Sequence, residues 1–170
     1  MDMFEVQFEK FAEITKRKFA VLWPSTKSTP PTEANISTIF TEIYSEMYYC
    51  FSEVPITMGR IDMVLVDRLE KEIVFCEFKS SKPNSVNEIL SDIDRLDTLS
   101  IASMPYYSKN TSPSEVWKVI FQWSENESEV DKNKAILSET YPQTFQKDII
   151  ECEDATLFCL FSAWQRNHSK

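Results

Sequence analysis

Three charged residues lie in segments that otherwise consist largely of apolar residues. Asp62 opens one such segment, and Glu77 and Lys79 end the next one, residues 73–79. Because strand side chains alternate between two faces, Glu77 and Lys79 point to one face, and Asp62 shares a face with the apolar row that follows it. A charge in such a place loses hydration and needs a partner. Two carboxylates at adjacent strand ends, with an ammonium group beside them, would be satisfied by binding a hard divalent cation.

A simpler arrangement of the same residues has no catalytic consequence. In it, Asp62 caps a hairpin turn, while Glu77 and Lys79 form an exposed ion pair worth under ~1 kcal/mol. The E-x-K pattern occurs only once in the chain, at the end of an apolar segment. That position favours the cation-binding arrangement over the simpler one.

Residue counts exclude several other kinds of chemistry. The one histidine, His168, lies near the end of the sequence, which argues against Ser-His-Asp and Cys-His hydrolases, haem ligation and histidine-rich zinc sites. The one glycine, Gly59, excludes the Gly-rich phosphate loops of Walker-type NTPases and dinucleotide-binding folds. Chemistry in this chain therefore depends on carboxylates, lysine, hydroxyls or thiols.

The chain is acidic, with 18 basic and 27 acidic residues and a formal net charge of −9. A site for a polyanion must then be a local basic patch. The four cysteines have no C-x-x-C spacing, and we interpret them as reduced thiols of an intracellular protein, cytoplasmic or nuclear. We expect neither a signal peptide nor a membrane-spanning segment, because the first residues lack a basic and an apolar region and no apolar stretch is long enough.

The first part of the chain predicts two helices joined by a connector. Apolar residues recur every three or four positions over residues 4–19, which predicts an amphipathic helix. Residues 24–32 are rich in Pro, Ser and Thr and form the connector. Thr32 is the predicted N-cap of a second helix, whose apolar stripe runs from Ile36 to Cys50.

Strand patterns follow and alternate with helices. Residues 51–57 and 61–66 predict a hairpin around Gly59, because glycine freely adopts positive φ. The remaining elements are a strand over 73–79, a helix after Pro83 that opens with a capping box of Ser85 and Glu88, a strand over 116–123, a helix over 124–139 opened by Ser124 and Glu127, and a strand over 155–164. A meander followed by a crossover helix makes the fourth strand parallel to the third, which predicts an α/β fold with a mixed central sheet flanked by helices.

The segment Gly59-Arg60-Ile61-Asp62, followed by a strand ending Glu77-Phe78-Lys79, resembles the core motif of the PD-(D/E)XK, or restriction-endonuclease-like, nuclease superfamily. Ile61 stands where the name-giving proline would be, a change that the superfamily often tolerates. The order of elements is also similar to the αβββαβ core of that fold. The resemblance implies a single nuclease-like domain over 1–170, with an N-terminal helix and connector over 1–31, the core over 32–123, and a C-terminal helix and strand over 124–170.

The resemblance further implies a metal-dependent nuclease, either an endonuclease or an exonuclease, with DNA favoured over RNA as the substrate. Asp62 and Glu77 would then be ligands of Mg²⁺ or Mn²⁺, and the carbonyl of Phe78 would be a further ligand. Lys79 would orient or activate the attacking water. Metals held by carboxylates can supply hydroxide and a Lewis acid for phosphodiester hydrolysis, so no histidine is required.

Many members of the superfamily also use a glutamate from the helix that precedes the strands. Glu42 and Glu46 are the candidates. At about 100° per residue, Glu46 lies at the edge of the apolar stripe and Glu42 further round toward solvent. Glu46 is therefore the expected fourth catalytic residue.

Other basic and aromatic residues each have two interpretations. The cluster Lys16-Arg17-Lys18 could grip phosphates, but it is more typical of cations at the C-terminal end of a helix. Three other cations could flank a phosphate-binding groove or be scattered surface charge: Arg60, Lys82 and Lys109. Five aromatic residues could stack bases but are more typical of a core or an interface: Tyr44, Tyr48, Tyr49, Trp117 and Trp123.

Two other functions are consistent with the sequence. A nuclease-like fold could serve as a non-catalytic module for protein–protein contact or assembly, since an acidic surface repels DNA. The same fold could also bind nucleic acid without cleaving it, in which case its affinity would depend on salt and not on Asp62. A homodimer or another protein partner is compatible with each of these functions.

Overall fold

The structure is a computed structural model that describes residues 14 and 17, 31–57, 59–69, 71–83, 85–99, 115–140, 144–152 and 155–165. Its elements in chain order are helix α1 (Glu33–Tyr44), strands β1 (Tyr48–Ile56), β2 (Gly59–Asp67) and β3 (Glu72–Ser80), helix α2 (Val86–Thr98), strand β4 (Glu115–Ser124), helix α3 (Glu127–Thr140), and strands β5 (Thr144–Cys152) and β6 (Ala155–Gln165). Several sequence predictions lie outside the described residues: most of the helix over 4–19, most of the connector over 24–32, Lys109 and His168.

The described strands form one mixed sheet in the order β1-β2-β3-β4-β6-β5. β1, β2 and β3 are antiparallel neighbours, β4 runs parallel to β3, and β6 pairs antiparallel with both β4 and β5. The predicted hairpin is confirmed, and Gly59 has the positive φ, 122°, that its turn requires. The parallel fourth strand is confirmed as well. β5 was not predicted, because its sequence mixes polar and apolar residues as sheet-edge strands often do.

Hydrophobic cores lie on both faces of the sheet. On one face, α1 covers a core that includes Phe40, Phe78 and Phe121. On the other face, α2 and α3 cover a second core that includes Phe75 and Ile93. A strand in the middle of such a sheet is buried on both sides, which is why β3 consists almost entirely of apolar residues up to its charged end.

α1 begins as predicted but ends earlier. Thr32 is its N-cap and forms a capping box with Asn35, which satisfies two backbone donors at the helix start. The predicted stripe to Cys50 is wrong in its last part, because the helix ends at Tyr44 and Cys50 pairs with Leu65 in the sheet. The aromatic residues that precede Cys50 favour a strand, and this local preference overrides the helical spacing.

The two other predicted capping boxes do not form. Ser85 is the N-cap of α2 but makes no side-chain capping hydrogen bond, and its backbone is already helical. Its hydroxyl instead accepts from the buried amide of Asn133 at 3.5 Å. The other capping box was predicted at the start of α3. This helix begins three residues after Ser124, and the side chain of Asn126 accepts a hydrogen bond from the Ser128 N–H at 3.0 Å. In both places the serine hydroxyl takes a different hydrogen bond, which its sequence spacing alone does not reveal.

Among the described side chains, Cys50, Cys76 and Cys159 are thiols that take part in no disulfide, as expected, and the last two are buried. The side chain of Cys152 lies outside the described part. None of the described helices has the length and apolar character needed to cross a membrane.

The start of α1 is fixed to the end of β4 by one buried hydrogen bond. The indole N–H of Trp123 donates to the carbonyl of Pro31, immediately before the N-cap, at 2.9 Å. Trp123 is fully buried. This bond therefore determines where the first turn of α1 lies relative to the charged ends of β2 and β3.

Replacing Trp123 by Phe should lower the free energy of unfolding by about 1–3 kcal/mol, because the buried Pro31 carbonyl loses its donor. Trp117 provides a matched control, since its indole N–H bonds the exposed Glu115 carboxylate, and Trp117→Phe should cost about 1 kcal/mol or less. Urea denaturation of both variants measures the two effects. Equal losses would contradict the anchoring role of Trp123.

Candidate active site

The ladder between β2 and β3 ends where the two predicted metal ligands lie. Its last pair is Met63 with Cys76. Asp62 is the neighbour of Met63 on β2, and Glu77 is the neighbour of Cys76 on β3. The next backbone donor on β3, the N–H of Phe78, bonds Oδ2 of Asp62 at 2.7 Å. A side-chain carboxylate thus takes the place of a backbone acceptor, which fixes the Asp62 carboxylate between the strands.

Glu77 is a buried carboxyl in contact with a second one. Only 2% of its surface is exposed, and its carboxyl is close enough to that of Asp62 for the two to interact. Burial and then the Asp62 charge raise the pKa of Glu77 to about 9, although Arg95 acts in the opposite direction. At neutral pH Glu77 therefore carries a proton.

Arg95 and Lys79 are held over this carboxyl pair by a single aspartate of α2. Nη2 of Arg95 lies 2.6 Å from Oε1 of Glu77 and 3.0 Å from Oδ1 of Asp92, and Nζ of Lys79 lies 3.3 Å from Oδ2 of Asp92. Burial acts to lower the pKa of Lys79, but the Asp92 carboxylate, together with Glu33 and Glu88, outweighs it, so the pKa is raised. Lys79 is consequently an ammonium ion at neutral pH.

The sequence prediction missed Asp92 and Arg95, although one signal was present. Ile89, Ile93 and Leu96 form the buried stripe of α2, and Asp92 falls on the same stripe at helical spacing. A charged residue on a buried stripe requires a partner of opposite charge. That requirement would have directed attention to Lys79 and to the arginine one turn further along.

The carboxylate that α1 brings to the site is Glu33, in its first turn. Burial raises the pKa of Glu33, the Asp62 charge raises it further, and Lys79 partly offsets both. These charges influence Glu33 because they are close to it. The helix stripe used in the sequence prediction indicates which face of a helix is buried but not which end lies at the sheet edge that carries the charges.

The structure does not bring Glu46 to these residues. Glu46 is exposed in the turn that follows α1, at the opposite end of the helix from Glu33. A helix of this length spans roughly 18 Å at 1.5 Å per residue. Glu42 also lies toward that end, where it pairs with Arg17 at 3.3 Å.

A pocket of about 430 Å³ opens beside Asp62, on the side of the sheet that α1 covers. Its lining comes from the first turns of α1, the middle of β1, and the ends of β2 and β3: Thr32, Glu33, Ala34, Ser37, Ser52, Glu53, Asp62 and Phe78. Asp62 therefore faces both this pocket and the buried Glu77. The remaining carboxylate of the lining, Glu53, has a left-handed backbone with φ of 54°.

The other predicted residues have varied places. Arg60 is exposed and pairs with Glu53 at 3.5 Å, and Lys82 is exposed just after β3. Three of the five candidate stacking residues are buried in the core that α1 covers: Tyr44, Tyr48 and Trp123. Tyr49 is about half exposed, with the Arg68 guanidinium 5.4 Å from the centre of its ring.

The donor set at the end of the β2–β3 ladder suits a divalent cation. Asp62 and Glu77 offer hard oxygen ligands in contact with each other, and the buried Oε1 of Glu77 lacks a hydrogen bond of good geometry among the described residues. Within the same residues, no three His, Cys, Asp or Glu side chains already form a metal-holding group. The arrangement fits a cation once Arg95 moves away from Glu77.

In a chelating buffer, the free energy of unfolding should fall as the pH rises from 4.5 toward 9. These are the usual pKa of a glutamate and the folded-state pKa of Glu77. Within this range the folded protein keeps the Glu77 proton while the unfolded chain releases it. The stabilisation from Glu77 is therefore complete below the range and is lost as the pH rises through it. One pKa unit corresponds to about 1.4 kcal/mol, and Glu77→Gln should remove at least that much of the decline. Denaturation at several pH values measures it.

Glu139→Gln is the matched control, because it removes an exposed carboxylate from the last turn of α3 without touching the site. Its decline with pH should follow that of the natural chain. An equally steep decline in Glu77→Gln would show that another group dominates the pH dependence.

The family-model comparison matches residues 31–133 to the PD-(D/E)XK nuclease superfamily. The match begins just before the N-cap of α1 and ends within α3, so it contains α1, the meander, α2 and β4. No curated protein and no solved structure matches the chain significantly. Because the match covers more than half of the sequence, the chain belongs to the PD-(D/E)XK nuclease superfamily.

Proposed function

We propose that this protein is a nuclease that hydrolyses phosphodiester bonds of DNA with the help of Mg²⁺ or Mn²⁺. The observation that carries the proposal is the contact between the Asp62 and Glu77 carboxyls at the point where the β2–β3 ladder ends. Side-by-side carboxyls are unfavourable in a buried position unless a cation or a proton lies between them. Membership of a nuclease superfamily supports the same conclusion.

In this proposal Asp62, Glu77 and the Phe78 carbonyl hold the cation. A divalent ion bound there would lower the pKa of a water molecule and stabilise negative charge on the phosphate. Glu77 gives up its proton when the site is filled. Glu33 faces the same pocket as Asp62 and serves as the further carboxylate that many superfamily members take from this helix, the role for which Glu46 was expected.

Lys79 acts in this proposal as a fixed positive charge. Because its pKa is raised, the amine is not free to take a proton from water at neutral pH. As an ammonium ion beside Asp92, it orients the attacking water and stabilises the negative charge that develops on the phosphate. Orientation is therefore preferred to activation as the role of Lys79.

A non-catalytic interaction module is the second candidate function. It is favoured by the 2.6 Å contact between Arg95 and Glu77, since a permanent ion pair there would leave Glu77 unable to bind a cation. The exposed aromatic residues Tyr49 and Phe51 on the edge strand β1 would then provide a surface for a second copy of the chain or another protein.

Asp62→Asn and Lys79→Met should each reduce Mg²⁺- or Mn²⁺-dependent DNA cleavage by at least about 100-fold, because the first removes a charged ligand of the cation and the second a positive charge beside the reacting phosphate. Plasmid and single-stranded DNA are the first substrates, and an RNA of the same sequence tests the preference for DNA. Lys132→Met is the matched control, since Lys132 pairs with Glu129 on the exposed side of α3. Equal cleavage by all the proteins would point to a contaminant, and absence of cleavage with an unchanged melting temperature in Mn²⁺ would favour the interaction module.

Glu33→Gln should lower cleavage by about 10-fold or more, whereas Glu46→Gln should leave the rate within about twofold of the natural chain. The difference follows from their positions, with Glu33 in the pocket beside Asp62 and Glu46 in the turn beyond the other end of α1. Single-turnover cleavage at saturating protein compares the two. The reverse ranking would restore Glu46 as the helix carboxylate.

A further inference from the structure

Arg95 occupies a place that a bound cation would contest. Its Nη2 atom lies 2.6 Å from Oε1 of Glu77, a distance typical of a strong charge-assisted contact. A guanidinium stays charged at any pH that a folded protein experiences. Arg95 therefore cannot avoid repulsion from a divalent cation at Glu77 by losing its own charge, and must move.

The structure provides a second partner for Arg95 when it moves. Asp92 lies one turn earlier on α2, and its Oδ1 atom is 3.0 Å from the same Nη2 atom. The Arg95 side chain is 28% exposed, whereas that of Glu77 is 3% exposed, so part of the Arg95 side chain reaches solvent. Its Nε atom also makes no hydrogen bond among the described residues. Arg95 can thus leave Glu77 while remaining at the site.

The charges around Arg95 indicate what it would bind next. A chain with a net charge of −9 needs local cations to accept a polyanion. Arg95 and Lys79 are both held by Asp92 beside the carboxyl pair, and a guanidinium binds phosphate oxygens through two parallel hydrogen bonds.

We propose that Arg95 is an internal counter-cation that holds Glu77 in the metal-free protein. When a divalent cation binds, Arg95 leaves Glu77 and binds the substrate phosphate instead. Asp92 is the positioning residue that keeps Arg95, and Lys79 with it, at the site during this exchange. The inference rests on the proposed nuclease function. It assigns phosphate binding to a residue of α2 that lies outside the Asp-Glu-x-Lys motif.

The exchange requires Arg95→Met to change two affinities in opposite directions. Mn²⁺, measured by titration calorimetry, should bind at least about tenfold more tightly because its competitor is gone. A fluorescein-labelled DNA duplex with phosphorothioate linkages, which resist hydrolysis, should bind about tenfold more weakly in Mn²⁺ because a charge-assisted phosphate contact is lost. Without Mn²⁺ the duplex affinity should be the same in both proteins, since Arg95 is then held by Glu77.

Two further variants separate this exchange from a structural role. Arg95→Lys keeps the charge, so its Mn²⁺ affinity should be near that of the natural chain while its duplex affinity in Mn²⁺ is reduced, and it remains informative if Arg95→Met does not fold. Arg68→Met removes an exposed arginine at the opposite end of β2, whose guanidinium donates to the Ser45 carbonyl at 2.9 Å, and should leave both affinities unchanged.

The outcomes distinguish this inference from the proposed function. If the natural chain binds Mn²⁺ and cleaves DNA but Arg95→Met has unchanged or weaker Mn²⁺ affinity, the exchange is wrong and the nuclease function stands. The exchange is also wrong if the duplex affinity in Mn²⁺ does not depend on Arg95. If the natural chain binds no Mn²⁺, both proposals fail together.

Discussion

The contact between the Asp62 and Glu77 carboxyls is the constraint on which the arrangement of the site depends. Two neighbouring carboxylates repel each other, and burial removes hydration from Glu77, so the protein must compensate both effects. It does so with the Glu77 proton, the Phe78 N–H and the Arg95 guanidinium. The first two groups belong to β3, as a side chain and a backbone N–H, and the third belongs to α2. The carboxyl pair therefore persists only if β2, β3 and α2 are correctly placed relative to one another.

That meeting is set by the apolar surfaces of the same elements. Ile89, Ile93 and Leu96 hold α2 against the sheet, and Asp92 lies within their stripe, so the packing of α2 also delivers Asp92 and Arg95 to the charged end of β3. On the other face, Trp123 holds the start of α1 through the Pro31 carbonyl. Hydrophobic burial thus supplies the free energy that holds the helices against the sheet. The polar contacts determine where the charged side chains of the site lie.

Local pattern was sufficient for Glu77 and Lys79. The period of two placed both on one face, and there Glu77 meets Arg95 and Lys79 meets Asp92. The same period placed Asp62 on the face of Val64 and Val66, whereas Asp62 lines the pocket on the side that α1 covers. Local pattern was insufficient for residues on helices, because a helical stripe specifies a face and not an end. Glu33 lies in the first turn of α1 and Glu46 in the turn after its end. The first turn is held at the site by the hydrogen bond between Trp123 and Pro31, which are distant in sequence.

A buried polar network holds the end of β3 that carries the charges. Gln122 is the register partner of Lys79 across the β3–β4 ladder, and its side-chain oxygen accepts from Ser81 at 3.2 Å and from Asn133 at 3.0 Å. Each unmade bond in such a place costs about 1–3 kcal/mol, so the network strongly favours one arrangement of β3, β4 and α3. A site in which a cation and Arg95 compete for Glu77 requires a fixed carboxylate, because a mobile one could follow either partner. The network keeps the end of β3 in place, so only the Arg95 side chain of α2 has to move in the exchange.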